Sequence, residues 1–174
     1  SLISLVKFVA DPVDELPSIV FWLMGSFSDA SYEKLKLISI PLVACIIILF
    51  LLRWRINILS LGEEDVKALG LNPNTLRWMV ILPVTVIVSL SVSVSGMIGW
   101  VGLAIPHICR MIVGNDHKIL IPCSISVGAV YMVVMDDLAR SLTSAEIPLG
   151  VLTALIGIVI FGILLKRSKG GVVF

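Results

Sequence analysis

The chain has 174 residues, 58% of them hydrophobic and 14% charged, with a mean hydropathy of +1.09. Soluble globular domains are about 45–50% apolar and about 25% charged, so the composition excludes one and points to an all-α, polytopic integral membrane protein. The formal net charge of +1 gives no electrostatic reason for a nucleic-acid partner.

The chain opens Ser1-Leu-Ile-Ser-Leu-Val-Lys7, with no initiator Met and no signal-peptide layout. It is therefore expected to be a piece of a longer protein. Residues 1–34 carry Asp11, Pro12, Asp14, Glu15 and Pro17 ahead of an apolar patch at 19–24. They read as the end of a preceding span plus an extracytoplasmic interfacial segment. A helix crossing a ~30 Å hydrocarbon core needs about 20 mostly apolar residues, and the first full candidate is 35–52, ended by Arg53-Trp54-Arg55. A short acidic segment, 59–71, follows. The next apolar run, from about Trp78 to Val113, would be ~54 Å long as one helix, too long for the core. It must reverse, and Ser95-Gly96-Met97-Ile98-Gly99 is the natural turn. That gives spans 79–95 and 98–113. After the turn Gly114-Asn-Asp-His-Lys118 come spans 119–138 and 149–165, making five.

Basic residues orient the spans. Arg53, Arg55, Lys67, Arg77, Arg110, Lys118, Lys166, Arg167 and Lys169 fall on one side, which the positive-inside rule makes cytoplasmic. Lys7, Lys34, Lys36 and Arg140 fall on the other, with most of the acids. Segment 59–71 is then a cytoplasmic loop. Ser60 is suited to cap a helix whose first turn holds Glu63, Glu64 and Asp65, acids at the end favoured by the helix dipole. Leu61, Val66 and Leu69 offer an apolar face, and Gly70 a C-terminal stop. The pattern fits either a solvated loop helix or a grip for a soluble protein.

Other residues carry weaker signals. Cys45, Cys109 and Cys123 lie in or beside apolar blocks without CxxC spacing and read as small hydrophobes. His107 and His117, ten residues apart, do not make a metal site; anchoring at the cytoplasmic surface, with Asp116 and Arg110 as partners, fits His107 better. Gly96, Gly99 and Gly102 recur every third residue and are expected to line one face at the start of span 98–113, either for close helix packing or along a pathway. Pro106 is expected to kink that span and free a carbonyl. Asp136 and Arg140 are i,i+4 neighbours and fit a local ion pair. The sequence has no Walker A pattern, so it is not expected to hydrolyse ATP.

Several of these stretches resemble one family in the same order along the chain. Leu59-Ser-Leu-Gly-Glu-Glu-x-x-x-x-Leu-Gly70 resembles the coupling segment of the FecCD-type (iron-siderophore/haem/cobalamin) ABC importer permeases. Ser95-Gly-x-Ile-Gly-Trp-Val-Gly-Leu-x-x-Pro-His-Ile-x-Arg110 is similar to the family's G-x-I-G-F-x-G-L-x-x-P-H-x-x-R. Gly114-Asn-Asp-His-Lys-x-Leu-x-Pro122 is similar to its G-x-D-H-R-x-L-x-P, with Lys118 in place of Arg. Asp136-x-x-Ala-Arg140, Glu146-Ile-Pro-Leu-Gly-Val-Leu-Thr-Ala-Leu-Ile-Gly157 and the upstream Phe21-Trp-Leu-Met-Gly-Ser26 resemble the rest.

The resemblance implies the C-terminal half of a multi-pass permease in a prokaryotic cell (inner) membrane, importing a metal chelate of the siderophore-iron, haem or cobalamin type. It implies a cytoplasmic ABC ATPase bound through Ser60, Leu61, Gly62, Glu63, Glu64, Asp65, Leu69 and Gly70. It further implies an extracytoplasmic substrate-binding protein docked at Arg140, a second permease copy, and Gly96, Gly99, Gly102 and Pro106 around the pathway. No resident cofactor is implied, ATP being held by the partner. Asp137 stands where the family has an apolar residue, and it opposes the positive field of Arg140. The competing classes are an ion-coupled secondary transporter, which would need mid-span acids, and a non-transporting structural subunit of the membrane.

Overall fold

A computed structural model describes residues 2–13, 15–28, 30–142 and 147–168. Asp14, Glu146 and Lys169, used above, lie outside the described residues, as do the side chains of Lys166 and Arg167. Among the described residues eight helices follow one another: α1 (Leu2–Val9), α2 (Glu15–Leu23), α3 (Tyr32–Leu59), α4 (Glu63–Ala68), α5 (Pro73–Ser95), α6 (Val101–Val113), α7 (His117–Ser141) and α8 (Leu149–Ser168). No strand occurs among the described residues.

Among the described residues three helices, α3, α5 and α7, are long and apolar enough to cross a membrane. At 1.5 Å per residue their 28, 23 and 25 residues span ~42, ~35 and ~38 Å. Each overruns the stretch expected from apolarity alone, because capping outlasts hydrophobicity. Ser31 accepts from the Lys34 N–H at the start of α3. Asn72 does the same for the N–H groups of Asn74 and Thr75 at α5, where Pro73 occupies the first turn and loses no helical bond. Asp116 caps α7 through the Lys118 N–H. The expected span 98–113 is corrected: residues 98–100 are not helical, and α6 has 13 residues, only ~20 Å, short of a ~30 Å core. Sequence hydropathy could not see that the turn beginning at Gly96 runs on through Trp100. The expected spans 119–138 and 149–165 fall within α7 and α8.

Among the described residues few side chains are buried, and nine of them form three knots. Ile58, Val66 and Leu76 join the end of α3 to α4 and the start of α5. Ile105, Cys109 and Leu120 join α6 to α7. Met135, Ala139 and Leu149 join α7 to α8, with Phe27 and Ile98 against them. The first knot gathers the ends of α3 and α5 nearest α4, and a hydrogen bond from Asn57 brings the start of α7 to the same end. The third knot lies at the opposite end of α7. Large apolar side chains such as Leu37, Ile40, Leu51 and Leu82 stay exposed, as expected of helices that face lipid or other helices.

Residues 22–27, read from sequence as interfacial, instead hook into the bundle. Ser26 N–H donates to the Ser95 carbonyl at 2.9 Å, and Gly150 N–H donates to the Met24 carbonyl at 3.0 Å. Three segments thus meet backbone to backbone: the end of α2, the turn after α5 and the first turn of α8.

Candidate functional site: the α4 segment and the turns around it

The acidic segment folds as a single helical unit, α4, between α3 and α5. Its cap differs from expectation. Ser60 is the C-cap of α3, its hydroxyl donating back to the Asn57 carbonyl at 2.6 Å. The N-cap of α4 is Gly62 (φ 112°), with no side-chain cap bond. Ser60 sits two residues too early, and α3 runs seven residues past the hydrophobic span, so it closes that helix instead. At the other end the chain stops as Gly70 suggests. Gly70 takes φ 75°, which glycine adopts without the Cβ clash of other residues. Gly70 N–H reaches the Lys67 carbonyl and Leu71 N–H the Val66 carbonyl, the paired bonds of a Schellman motif.

The apolar face is narrower than Leu61, Val66 and Leu69 together. Only Val66 is buried, at 1% exposure, while Leu61 and Leu69 are each 59% exposed. Glu63, Glu64 and Asp65 all face solvent in the first turn. Glu63 is tied to α5 by the Arg77 guanidinium, whose hydrogen bond and charge hold its carboxyl below the ordinary 4.5. The helix therefore presents two leucines and an acidic edge outward, on a base pinned at Val66 and Glu63. A polar hollow of about 510 Å³ opens beside it, lined by Glu63, Lys67 and residues 70–74.

A connection not anticipated from sequence lies next to α4. Asp116 was expected near His107 and Arg110; instead it accepts from Asn57 Nδ2 at 2.6 Å, and His107 is exposed. Asn57 Oδ1 also accepts from the His117 backbone N–H at 2.8 Å and lies 2.7 Å from His117 Nδ1. The Lys118 N–H and then the Asn57 amide draw the Asp116 carboxyl below its ordinary 3.8. Asn57 carries no sequence signal of its own, being one polar residue at the end of an apolar helix.

The glycines expected on one helix face separate. Gly96 caps α5 at φ 66°, Gly99 lies in the turn, and Gly102 is in the first turn of α6. A Cβ on Gly96 would stand 1.9 Å from the Trp22 carbonyl oxygen, whereas one on Gly99 or Gly102 would meet nothing within 4 Å. Two glycines singled out by no spacing argument share the junction with Gly96. A Cβ on Gly25 would lie 2.7 Å from the Met97 oxygen, and one on Gly150 2.2 Å from the Met24 oxygen. Trp100 starts α6 at φ 66°, a left-handed conformation uncommon for a bulky residue, and its side chain lies over Gly157 of α8. Pro106 sits half-buried within α6. At the opposite end from α4, Arg140 Nε donates to Asp136 Oδ2 at 3.0 Å, the i,i+4 pair anticipated, and Asp137 is exposed.

Comparison with known proteins gives these features a context. The model of the FecCD transport family matches residues 1–167. The molybdate import system permease MolB of Haemophilus influenzae is 50% identical over 98% of this chain and 51% of its own length. A Helicobacter pylori protein assigned as an iron chelatin transport system permease is 40% identical over 98% of this chain. The vitamin B12 import permease BtuC of Vibrio cholerae is 38% identical over 88%. A solved ABC transporter in an inward-facing conformation, assigned to the metal-chelate type, superposes with a TM-score of 0.91 at 51% identity, over 95% of this chain and 54% of that one. The chain spans about half the length of the curated relatives it matches. A match of this extent makes the chain a member of the FecCD transport family, whose relatives named here are ABC importer permeases.

Proposed function

We propose that the chain is the C-terminal portion of a permease that imports a solute across a prokaryotic cell membrane at the expense of ATP. The ATP is hydrolysed by a separate cytoplasmic ATPase seated on α4. The observation that carries this reading is the way α4 is held. Val66 plugs between Ile58 and Leu76, so the helix cannot shift without moving α3 and α5. Glu63, Glu64, Asp65, Leu61 and Leu69 are left outward for a partner. Closure of the ATPase would push this unit and rock the two helices between outward- and inward-facing arrangements. Arg140, at the far end of α7, would receive an extracytoplasmic binding protein, and a second permease copy would complete the path.

The relatives divide on cargo. The likeness to a molybdate permease is stronger than that to the iron-chelatin and vitamin B12 permeases, which supports a molybdenum oxyanion. A metal chelate is the second reading, supported by the equally similar solved transporter of metal-chelate type. The test is uptake into proteoliposomes holding the complete transporter, with labelled molybdate, a ferric siderophore and cobalamin offered separately. Changing Glu63, Glu64 and Asp65 to Ala together should leave ATP hydrolysis running while uptake falls. Unchanged uptake per ATP would remove α4 from the coupling role.

A further inference from the structure

We infer that Asn57 is a positioning residue that carries displacement of α4 across to α7. The inference rests on the permease reading above, and it concerns how far into the bundle a push on α4 travels. Among the described residues α4 packs chiefly on α3 and α5, through Val66 against Ile58 and Leu76. The neighbouring residue on α3 faces elsewhere. Successive residues on a helix point about 100° apart, so Ile58 addresses α4 while Asn57 addresses the start of α7. One turn of α3 therefore touches both helices.

The connection is specific in its chemistry. Asn57 Nδ2 donates to Asp116 Oδ1 at 2.6 Å, and Asn57 Oδ1 accepts from the His117 N–H at 2.8 Å with His117 Nδ1 at 2.7 Å. Turning the amide over would set its NH2 against the His117 N–H, so one orientation satisfies every partner. It also sets the tautomer, with the proton of the His117 ring on Nδ1. The bond to the Asp116 carboxylate is charge-assisted, and the same Oδ1 caps α7 through the Lys118 N–H at 2.9 Å. On the α3 side the Ser60 hydroxyl holds the Asn57 carbonyl at 2.6 Å. A displacement of Asn57 thus acts on the first turn of α7 itself. From there α7 runs to the Met135–Ala139–Leu149 knot and the Asp136–Arg140 pair at its other end.

The experiment uses the complete transporter in proteoliposomes with its ATPase and binding protein, reading uptake and ATP hydrolysis together. Asn57→Ala should keep hydrolysis but lower uptake per ATP, roughly 2- to 30-fold for the loss of one coupling element. Asn57→Asp should do at least as badly, since it sets a second carboxylate against Asp116. The exchange Asn57→Asp with Asp116→Asn restores an amide facing a carboxylate and should recover most of the loss. A purely structural tie predicts hydrolysis and assembly falling together with uptake in Asn57→Ala. Parental uptake per ATP in Asn57→Ala, or an exchange no better than Asn57→Asp in equally assembled protein, overturns the inference. The variant with Glu63, Glu64 and Asp65 changed to Ala separates the two levels. If it uncouples and Asn57→Ala does not, only the role of Asn57 fails; if neither uncouples, α4 has no coupling role and this inference falls with it, while the permease reading itself fails only if the complete transporter takes up none of the offered solutes.

Discussion

Arg77 near the start of α5 and Glu63 in the first turn of α4 form an ion pair, Nη2 to Oε1, at 2.5 Å. It bridges two helices that otherwise touch through Val66 and Leu76. The pair holds the Glu63 carboxyl below its ordinary 4.5, and the sign of the linkage follows. A carboxylate with a depressed folded value contributes fully above the ordinary value and loses its contribution as pH falls through the folded one. The α4–α5 attachment should therefore be unaffected from neutral pH down to 4.5 and weaken below it. Arg77→Ala should remove that acid-dependent component. Both partners are about half exposed, so the effect is small and screened by salt. Thermal unfolding in detergent at low ionic strength, comparing the two proteins across the acid range, checks it; identical pH profiles would contradict the pairing.

Val66 and its leucine neighbours should behave in opposite ways. Val66 is 1% exposed and bridges Ile58 and Leu76, so Val66→Ala opens a cavity and should cost on the order of 1–3 kcal/mol. Leu61 and Leu69, both well exposed, should each change stability by less than about 0.5 kcal/mol on replacement by Ala. If they face an ATPase, those same two changes should weaken its retention during purification, whereas Val66→Ala should first lower the melting temperature. Measuring melting and co-purification on all three variants separates seat from contact.

This division shows what was legible in the sequence. The acids of α4 and its glycine stop could be read because they depend on neighbours within a turn. The ordered motifs at 95–122 carried the family. That Val66 is buried while Leu61 and Leu69 stay exposed, and that Ser60 closes α3 instead of opening α4, depended on the far end of a 28-residue helix. Asn57 was invisible for the same reason, its partners being 59 and 60 residues away. The glycine triplet misled because equal spacing implies a helix face only where the chain is helical, and residues 96–100 are not.

At the other end of α7, Asp137 is exposed beside the Asp136–Arg140 pair. If an acidic site on a binding protein docks there, a spare negative charge slows the encounter. Asp137→Asn should raise the association rate at low salt, with the gain shrinking as salt rises. Arg140→Ala should lower that rate. Stopped-flow binding of the purified binding protein to the reconstituted transporter reads both, and an Asp137→Asn rate equal to the parent's at low salt would count against docking at this site.

The glycines yield the sharpest contrast. Gly96 combines φ 66° with a Trp22 carbonyl oxygen 1.9 Å from where a Cβ would sit, and that oxygen belongs to backbone that cannot swing aside. Gly96→Ala must therefore shift the end of α2 away from the turn, straining the Ser26–Ser95 bond beside it. Backbone strain and overpacking each cost roughly 1–3 kcal/mol, so a loss of at least ~2 kcal/mol or failure to assemble is expected. Gly150→Ala should be similar, because the Met24 oxygen is 2.2 Å away. Gly102 is the control. It is helical, and a Cβ there meets nothing within 4 Å, so Ala should leave stability unchanged or raise it by up to ~1 kcal/mol. A transport defect in a well-folded Gly102→Ala protein would then report on a contact outside this chain, as the proposed second permease copy or the proposed solute would make. Equal stability losses at Gly96 and Gly102 would instead return both to ordinary helix packing.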